Sequence, residues 1–419
     1  MWIMVTVVLL SSRQLGFLNI PPEIRHTVDF VAIMSKAEAE ALPPSTRAWL
    51  SRVEHVPIAS NDGVLWQYDE MEALALIRAL PGKPTAIVTF DEGATLLAAN
   101  LRAQLDVPGA RPDEILRYRD KLLMKRHVRA AGLKTPEADR LPQPGDWPSY
   151  TALAARFGPR MVIKPVDSAG TNAVHIVADE DAFTHAVKRS QQLSLDYEIE
   201  TFAEGKLYHC DTIWSGDELL FTACTEYVAP TIEFQNGFPL GGRAMNPHST
   251  LSSRLIDFAV DAVRALGVAS VAQHTELMVG PDGAITFIES GARPPGMLVA
   301  QMYERAFGLN ILTLALAANV GGALASVIMP PAVARPPLLQ DAFYLVYPRG
   351  HGWVTGVRSP PDDLVGRLDM RSHTTKGDWH EGCRSNLDFT TTVLCGGDRD
   401  FVDHAYAAMT IFAPVEYAN

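Results

Sequence analysis

Short apolar runs alternate with amphipathic helical patterns over the first hundred residues of this chain. Strand patterns occupy residues 1–10, 28–34 and 85–90, and helical patterns occupy residues 70–79 and 92–105. A chain that alternates strands with helices in this way favours a parallel sheet with helices on its faces. We therefore predict an α/β domain at the start of the chain, with residues 1–10 as a buried first strand.

Two acidic residues, Asp91 and Glu92, directly follow the strand predicted at 85–90. Open parallel sheets bind ligands beyond the carboxyl ends of their strands, so this position favours a functional site. Acidic residues also favour the first turn of a helix, so both could simply cap the helix that follows. The residues by themselves leave the two interpretations open.

The composition argues against several classes of protein. A net charge of −12 does not fit a nucleic-acid-binding protein, which needs a basic surface. The apolar start is shorter than the roughly 20 residues of a membrane span, and it has no clear signal-peptide features. The four cysteines form no Cys-x-x-Cys pair, which argues against a zinc knuckle or a disulfide scaffold. We expect free, buried thiols in a reduced cytoplasm, with no nucleic-acid or membrane partner.

The 419 residues suggest two to four domains. Residues 228–249 are rich in Pro and Gly and are predicted to form a long loop, which inside a domain is often functional. Short turns predict two hairpins, one formed by residues 161–177 and one by residues 274–289. The other elements predicted beyond residue 110 are helices at 113–131, 251–266 and 400–409 and strands at 197–202, 208–214 and 218–223.

A candidate phosphate-binding turn runs from Lys164 to Thr171. The lysine ends a strand, and the small residues after it can bring backbone N–H groups close to a phosphate. Gly170 permits the dihedral angles that such a turn requires. An ordinary hairpin turn with a surface lysine explains the same residues, so this segment alone does not decide between the two.

A pair of acidic residues, Glu276 and Glu289, lies on the two strands of the second hairpin, in otherwise apolar segments. Two facing carboxylates repel each other, so a cation is expected between them. Mg²⁺ takes one or two carboxylates together with waters and substrate phosphates. Alternatively, one carboxylate pairs with Arg293 and the other faces solvent.

Five motifs follow one another in an order that resembles the ATP-grasp superfamily, over nearly the whole chain. They are Arg119-Asp120-Lys121, Ile163-Lys164-Pro165 with its small-residue loop, the run from Glu200 to Gly205, Glu276, and Glu289 with Arg293 and Gly296. Within that superfamily the spacing is most similar to the L-amino acid ligases that make dipeptides, of the bacilysin-synthetase type.

The resemblance implies an ATP-grasp fold of mixed α/β (α+β) class. It places a Rossmann-like parallel-sheet domain at residues 1–112 and a small central lid domain with the phosphate loop at 113–200. A larger antiparallel-sheet domain at 201–419 would hold the metal and the substrates. By the same resemblance, the residues that bind ATP are Lys121, Lys164, Ser168, Gly170, Thr171, Glu200, Thr201, Phe202 and Ala203.

For the chemistry itself, the resemblance implies that Glu276 and Glu289 bind Mg²⁺, with Mn²⁺ as an alternative. Arg293, with Lys164, would be catalytic and would stabilise the acyl phosphate. Glu92 would hold the ammonium group of an amino-acid substrate. Met297 would shape the substrate pocket.

Two positions depart from the family pattern. Gly291 stands where many ATP-grasp enzymes have an asparagine, so one metal contact is missing or is supplied by another group. Leu207 stands where some relatives carry an acid for the ribose of ATP. His209 or Asp211 could take that role, or either could be a core residue of its strand.

The implied function is an ATP-dependent ligase that activates a carboxylate as an acyl phosphate and joins it to an amine, releasing ADP and phosphate. An amino acid is the expected substrate on one side, and Arg243 could bind a substrate carboxylate or simply pair with a surface acid. A carboxylase and a non-catalytic nucleotide-binding regulator are the alternatives. The expected partners are small-molecule carboxylates and amines, and a homodimer is expected from the size of the chain.

Overall fold

The computed structural model describes residues 5–61, 64–193, 195–268, 271–321 and 334–418. Its first part is a four-stranded parallel sheet with strand order β3-β2-β1-β6, beside a two-stranded hairpin formed by β4 and β5. The strands are β1 Val5–Leu10, β2 Val28–Met34, β3 Arg52–His55, β4 Ile58–Asn61, β5 Trp66–Tyr68 and β6 Ala86–Thr89, and the helices are α1 Lys36–Glu40, α2 Pro44–Arg47, α3 Glu70–Arg78 and α4 Thr95–Leu105. The predicted parallel sheet is confirmed, although residues 1–4 of its first predicted strand lie outside the described residues.

The central part is a small antiparallel sheet with order β7-β10-β8-β9. Its elements are α5 Pro112–Leu116, α6 Lys121–Ala130, β7 Ala138–Arg140, α7 Tyr150–Phe157, β8 Met161–Pro165, β9 His175–Val177, α8 Glu180–Ser190 and β10 Tyr197–Thr201. The hairpin predicted at 161–177 is confirmed as the pair β8 and β9. The helix predicted at 113–131 is wrong as a single element, because the chain turns after α5 and Asp120 starts a second helix by accepting the backbone N–H groups of Leu122 and Leu123.

The last part is built on an eight-stranded sheet with order β15-β14-β11-β12-β13-β16-β20-β18, with a three-stranded sheet β19-β17-β21 at the end of the chain. The strands are β11 Lys206–Ser215, β12 Glu218–Tyr227, β13 Leu240–Ala244, β14 Ala272–Val279, β15 Ile285–Gly291, β16 Asp341–Pro348, β17 His351–Val357, β18 Asp369–Ser372, β19 Trp379–Glu381, β20 Phe389–Gly397 and β21 Val415–Ala418, and the helices are α9 Thr250–Leu266, α10 Val299–Phe307, α11 Ile311–Val320 and α12 Arg399–Thr410. The hairpin of β14 and β15 and the helices predicted at 251–266 and 400–409 are confirmed.

Two expectations about this part are wrong. The loop predicted at 228–249 contains a 3₁₀ helix, Thr231–Asn236, and the strand β13. That strand pairs with β12 on one side and β16 on the other, so Gly241 and Gly242 lie in the sheet. Cys210 and Cys224 are register partners on β11 and β12 and form a disulfide, whereas Cys383 and Cys395 are free thiols as expected.

One hydrophobic core joins the first and last parts of the chain. One face of the parallel sheet contributes Val7, Leu9 and Val88, and helices α10 and α11 contribute residues such as Met302 and Leu312. The opposite face is covered by α3 and α4, and the central sheet has a core of its own. Among the described residues, none of the helices combines the length and apolar character that crossing a membrane requires. The domain boundaries at 112 and 200 stay predictions, although β10 already carries the central sheet to Thr201.

Candidate active site

Lys164 lies at the end of β8 and is buried, so the interpretation as a surface lysine is wrong. Its Nζ is 2.8 Å from Glu200 Oε1 on the neighbouring strand β10. The Nζ of Lys125 reaches the same carboxylate at 2.8 Å and Glu198 Oε1 at 2.5 Å. Burial alone would raise the pKa of Glu200, but Lys125 and then Lys164 lower it to about 2. The two lysines and two glutamates therefore compensate one another inside the protein.

The turn after β8 is held over the site by contacts from three directions. Gly170 and Thr171 both have left-handed backbones, with φ of 62° and 59°. The Nζ of Lys121, at the first turn of α6, donates to the backbone oxygen of Ser168 at 2.8 Å. Gln235, on the 3₁₀ helix, donates to the backbone oxygen of Thr171 at 3.0 Å. A Cβ at Gly170 would lie 2.7 Å from Asn386 Oδ1, so a larger residue would require the turn or Asn386 to shift.

Glu276 and Glu289 are register partners across β14 and β15, beside a bulge. Burial and then the charge of Glu289 raise the pKa of Glu276. Burial also acts to raise the pKa of Glu289, but Lys121, whose Nζ is 3.7 Å away, and Lys164 lower it. Tyr227 donates its hydroxyl to Glu276 Oε1 at 3.0 Å. Two half-buried carboxylates that repel each other form a donor set that fits a divalent cation.

Arg293 does not pair with this acidic couple, so that alternative is wrong. Its Nε is 2.6 Å from Glu92 Oε2, and Arg119 pairs with Glu92 Oε1 and with Asp167. Burial would raise the pKa of Glu92, but Arg293 and then Arg119 lower it to about 2. Asp91, not Glu92, is the capping residue. It accepts the backbone N–H of Gly93 at 3.2 Å at the start of the short 3₁₀ helix Glu92–Ala94.

The departure at Gly291 has a steric cause. A Cβ at this position would lie 2.7 Å from Glu92 Oε2. An asparagine here would therefore require a shift of the carboxylate that Arg293 and Arg119 hold. Glycine at this point of β15 leaves the space that Glu92 occupies.

Two cavities meet at these residues. The first has a volume of about 670 Å³ and lies between the parallel sheet and the eight-stranded sheet. The second has a volume of about 430 Å³ and lies between the central sheet and the eight-stranded sheet. Both cavities are lined by Lys121, Ser168, Ala169, Gly170, Thr171, Glu276 and Glu289. The acidic pair and the turn 168–171 thus lie where the two cavities join.

The other predicted ATP-binding residues divide between the second cavity and the interior. Glu200, Phe202 and Ala203 line that cavity, and the guanidinium carbon of Arg160 lies 3.8 Å from the centre of the Phe202 ring. Thr201 lies outside the lining, and its hydroxyl accepts the backbone N–H of Glu137 at 3.1 Å. His209 is fully buried within the sheet, as its alternative interpretation as a core residue anticipated.

Of the four predicted substrate residues, three line the first cavity and one lies outside both cavities. Glu92, Arg293 and Met297 line the first cavity, and Met297 has a left-handed backbone with φ of 52°. Arg243 lines neither cavity and instead pairs with Asp403 and, at 2.7 Å, with Asp341. The interpretation of Arg243 as a partner of surface acids therefore agrees with its position.

Three residues of the site were not among the predicted ones. Arg119 precedes the predicted Lys121 by two residues, and His274 precedes Glu276 by two residues on the same strand. The two-residue period of a strand puts His274 and Glu276 on one face, which is a signal that the sequence offers. Tyr227 reaches Glu276 from β12 and gives no comparable local signal.

Comparison with known proteins agrees with this geometry. Residues 118–296 match the family model of the ATP-grasp domain. An L-arginine-specific L-amino acid ligase of Bacillus subtilis is 21% identical over 350 residues, which cover 80% of this chain and 81% of that protein. The crystal structure of an L-amino acid ligase from Bacillus licheniformis has a TM-score of 0.77 and 18% identity and covers 99% of both chains. A carboxyaminoimidazole ribonucleotide synthase from Aspergillus clavatus, complexed with ATP, has a TM-score of 0.69 and 14% identity over 98% of each chain.

The parallel sheet, the small central sheet and the large antiparallel sheet thus form an ATP-grasp fold, and residues 118–296 match its ATP-grasp domain. The similar proteins include proteins named as ligases. The chain is similar to the L-amino acid ligases over most of its length, as the order and spacing of its motifs predicted.

Proposed function

We propose that the protein joins a carboxylate to an amine at the expense of ATP, through an acyl phosphate, and releases ADP and phosphate. The observation that carries this proposal is the junction of two cavities at Lys121, the turn 168–171, Glu276 and Glu289. Such a junction lets the γ-phosphate of a nucleotide in one cavity meet a carboxylate in the other.

ATP is assigned to the second cavity, with the adenine near Phe202 and Ala203 and the triphosphate directed to the junction. Lys121 and Lys164 supply positive charge there, and the turn 168–171 supplies backbone N–H groups. A divalent cation held by Glu276 and Glu289 would neutralise further charge on the phosphates. Mg²⁺ is the proposed ion, and Mn²⁺ is the proposed alternative.

The carboxylate substrate is assigned to the first cavity, beside Arg293. Its oxygen attacks the γ-phosphorus, the bond to the ADP oxygen breaks, and an acyl phosphate forms. An amine then attacks the acyl carbon, loses a proton, and phosphate leaves. Arg293 stabilises the charge on the reacting oxygens, and the turn 168–171 limits access of water to the acyl phosphate.

An amino acid is proposed as one substrate. Glu92 is ionised near neutral pH and faces the first cavity, and each of its oxygens retains a lone pair beyond the arginine it binds. It therefore can accept an ammonium group while it positions Arg293. Similarity to proteins named as L-amino acid ligases supports the same substrate class.

Oxygen transfer from the substrate tests this mechanism. The enzyme would be incubated with MgATP and pools of amino acids labelled with ¹⁸O in the carboxyl group, and ADP, AMP, phosphate and the labelled phosphate would be measured. We expect ADP and phosphate that carries one ¹⁸O, because the acyl phosphate leaves its bridging oxygen on phosphorus.

Glu289→Gln is expected to reduce this activity by at least 100-fold, in line with the loss of a charge-stabilising group. Glu72→Gln, an exposed substitution on α3, serves as the matched control and should retain full activity. Formation of AMP and pyrophosphate would contradict the proposal, and turnover that depends on bicarbonate instead of an amine would favour a carboxylase.

A further inference from the structure

His274 lies directly opposite Gly291 in the register of β14 and β15. Gly291 is the position at which the family pattern expects an asparagine, and a Cβ there would lie 2.7 Å from the Glu92 Oε2 that Arg293 holds. The nearest replacement for a missing ligand would therefore come from the neighbouring strand. His274 and Glu276 are two residues apart on that strand, so their side chains project from the same face.

The imidazole of His274 is oriented from behind by a buried carboxylate. Its Nδ1 is 2.7 Å from Asp211 Oδ1, and the Nδ1 of His209 is 2.8 Å from Asp211 Oδ2. Tyr303 donates its hydroxyl to the same Oδ2 at 2.8 Å. The Asp211 carboxylate faces both imidazoles and this hydroxyl and serves as the acceptor, so the Nδ1 of His274 is the donor.

This hydrogen bond leaves the other ring nitrogen of His274 with its lone pair. His274 lines the first cavity, and its Nε2 is 3.9 Å from Glu276 Oε1. That distance is too long for a hydrogen bond, but it suits two ligands that share one ion. A carboxylate that orients a histidine through Nδ1 while Nε2 faces an ion is a recurrent arrangement in metal sites.

We infer that His274 is a ligand of the cation held by Glu276 and Glu289, replacing the group that Gly291 cannot provide, and that Asp211 is its positioning residue. The inference rests on the proposed function, because it takes the cation to be the one that accompanies the nucleotide. An imidazole ligand favours Mn²⁺ over Mg²⁺ relative to an all-oxygen site, because nitrogen is a poorer ligand for Mg²⁺.

Electron spin-echo envelope modulation of bound Mn²⁺ detects a coordinated imidazole directly. Spectra would be recorded for the protein with Mn²⁺ and ADP, and binding would be measured separately from the signal of free Mn²⁺. We expect ¹⁴N modulation in the wild type that disappears in His274→Gln. Asp211→Asn should weaken Mn²⁺ binding by roughly 10–100-fold, the range for such positioning groups.

His373→Gln is the matched control, because His373 is a second imidazole on the wall of the same cavity and bonds to Thr392. The His373→Gln variant should keep the ¹⁴N modulation and the affinity for Mn²⁺. Circular dichroism and thermal melting would establish that each variant is folded. Bound Mn²⁺ and ADP without ¹⁴N modulation in the wild type, or modulation that survives in His274→Gln, would overturn the inference and leave the ligase proposal standing. Failure to bind Mn²⁺ and ADP at all would count against both.

Discussion

At the scale of single residues, the site is an arrangement of buried charges that compensate each other before any ligand arrives. Glu92 is shared by Arg119 and Arg293, and Glu200 is shared by Lys125 and Lys164. Removing one member of such a group leaves a buried charge without a partner, which costs more than the pair itself contributes. The same side chains therefore affect both stability and catalysis, and their two effects need separate measurements.

Glu92→Gln is expected to change how stability depends on pH. The pKa of Glu92 is lowered from 4.5 to about 2, so its carboxylate stabilises the native state above pH 4.5. This contribution is lost as the pH falls from 4.5 toward 2. It amounts to on the order of 3 kcal/mol at neutral pH. The free energy of unfolding would be measured in urea at pH 7 and pH 3. The difference in this free energy between wild type and variant should be smaller at pH 3. If the difference in free energy of unfolding were the same at both pH values, or if Glu72→Gln gave the same difference, the pH dependence could not be assigned to the Glu92 carboxylate.

At the scale of elements, the turn between β8 and β9 connects all three parts of the molecule. Gly170 approaches Asn386 from the last part of the chain and Val64 from the first. Gln235 on the 3₁₀ helix holds Thr171. The position of this turn over the cavity junction therefore depends on close contacts that a single added methyl group would disturb.

Gly170→Ala is expected to lower kcat by roughly 10–100-fold, because the Cβ would displace the turn from the reacting groups. Gly216→Ala is the matched control, since Gly216 has a φ of 56° in an open hairpin turn, close to the 62° of Gly170. Both substitutions place alanine in a left-handed conformation at a cost of about 1–2 kcal/mol. Equal loss of kcat in the two variants would mean that the effect is one of stability alone.

The start of α6 provides a second test at this scale, because Asp120 caps the helix whose first residue is Lys121. Asp120→Ala should cost about 1 kcal/mol of stability and also raise the KM for ATP, since Lys121 loses its fixed position. Ser149 caps α7 in the same way and lies outside the two cavities. Ser149→Ala should match the stability loss and leave the KM unchanged. A comparable KM for ATP in the wild type, Asp120→Ala and Ser149→Ala would contradict the proposal that Lys121 binds the nucleotide.

At the scale of the whole molecule, the first and last parts of the chain share one core, while the central sheet packs on its own. Elements that share a core open together, and a separately packed unit can open at a lower free energy. A central sheet that opens separately would admit the proposed nucleotide while the rest of the candidate site stays in place. The homodimer expected from the size of the chain stays a prediction that sedimentation velocity can check.

Hydrogen exchange in increasing urea is expected to separate these units. Peptides from β1 and β16 should lose protection at the same urea concentration, and peptides from β8 and β10 should lose it at a lower one. Mg²⁺ with ADP should raise the protection of the central peptides more than that of β1, because the proposed nucleotide site lies between the central sheet and the large sheet. Loss of protection in β1 before β16 would show that the shared core does not couple the two parts.

Much of the fold and part of the site could be predicted because the signals are local or periodic. The alternation of strands and helices predicts the parallel sheet, since each pattern reports which face of an element is buried. The turn at Gly280–Gly283 pairs two short strands and thereby brings Glu276 opposite Glu289. The order of motifs along the chain then predicts the ATP-grasp fold.

Only the tertiary structure decided which distant residues meet. Arg293 binds Glu92, which is 201 residues away, and that same carboxylate lies against Gly291. Cys210 meets Cys224 because the two residues are register partners on β11 and β12. The strand β13 lies between β12 and β16, although the Pro- and Gly-rich composition of its segment does not suggest a strand. A sequence determines hydrophobic periodicity and turns locally, whereas the partners of buried charges depend on how whole elements pack. For that reason the sequence determined the fold class and the acidic pair, and packing decided how charges and ligands are arranged around them.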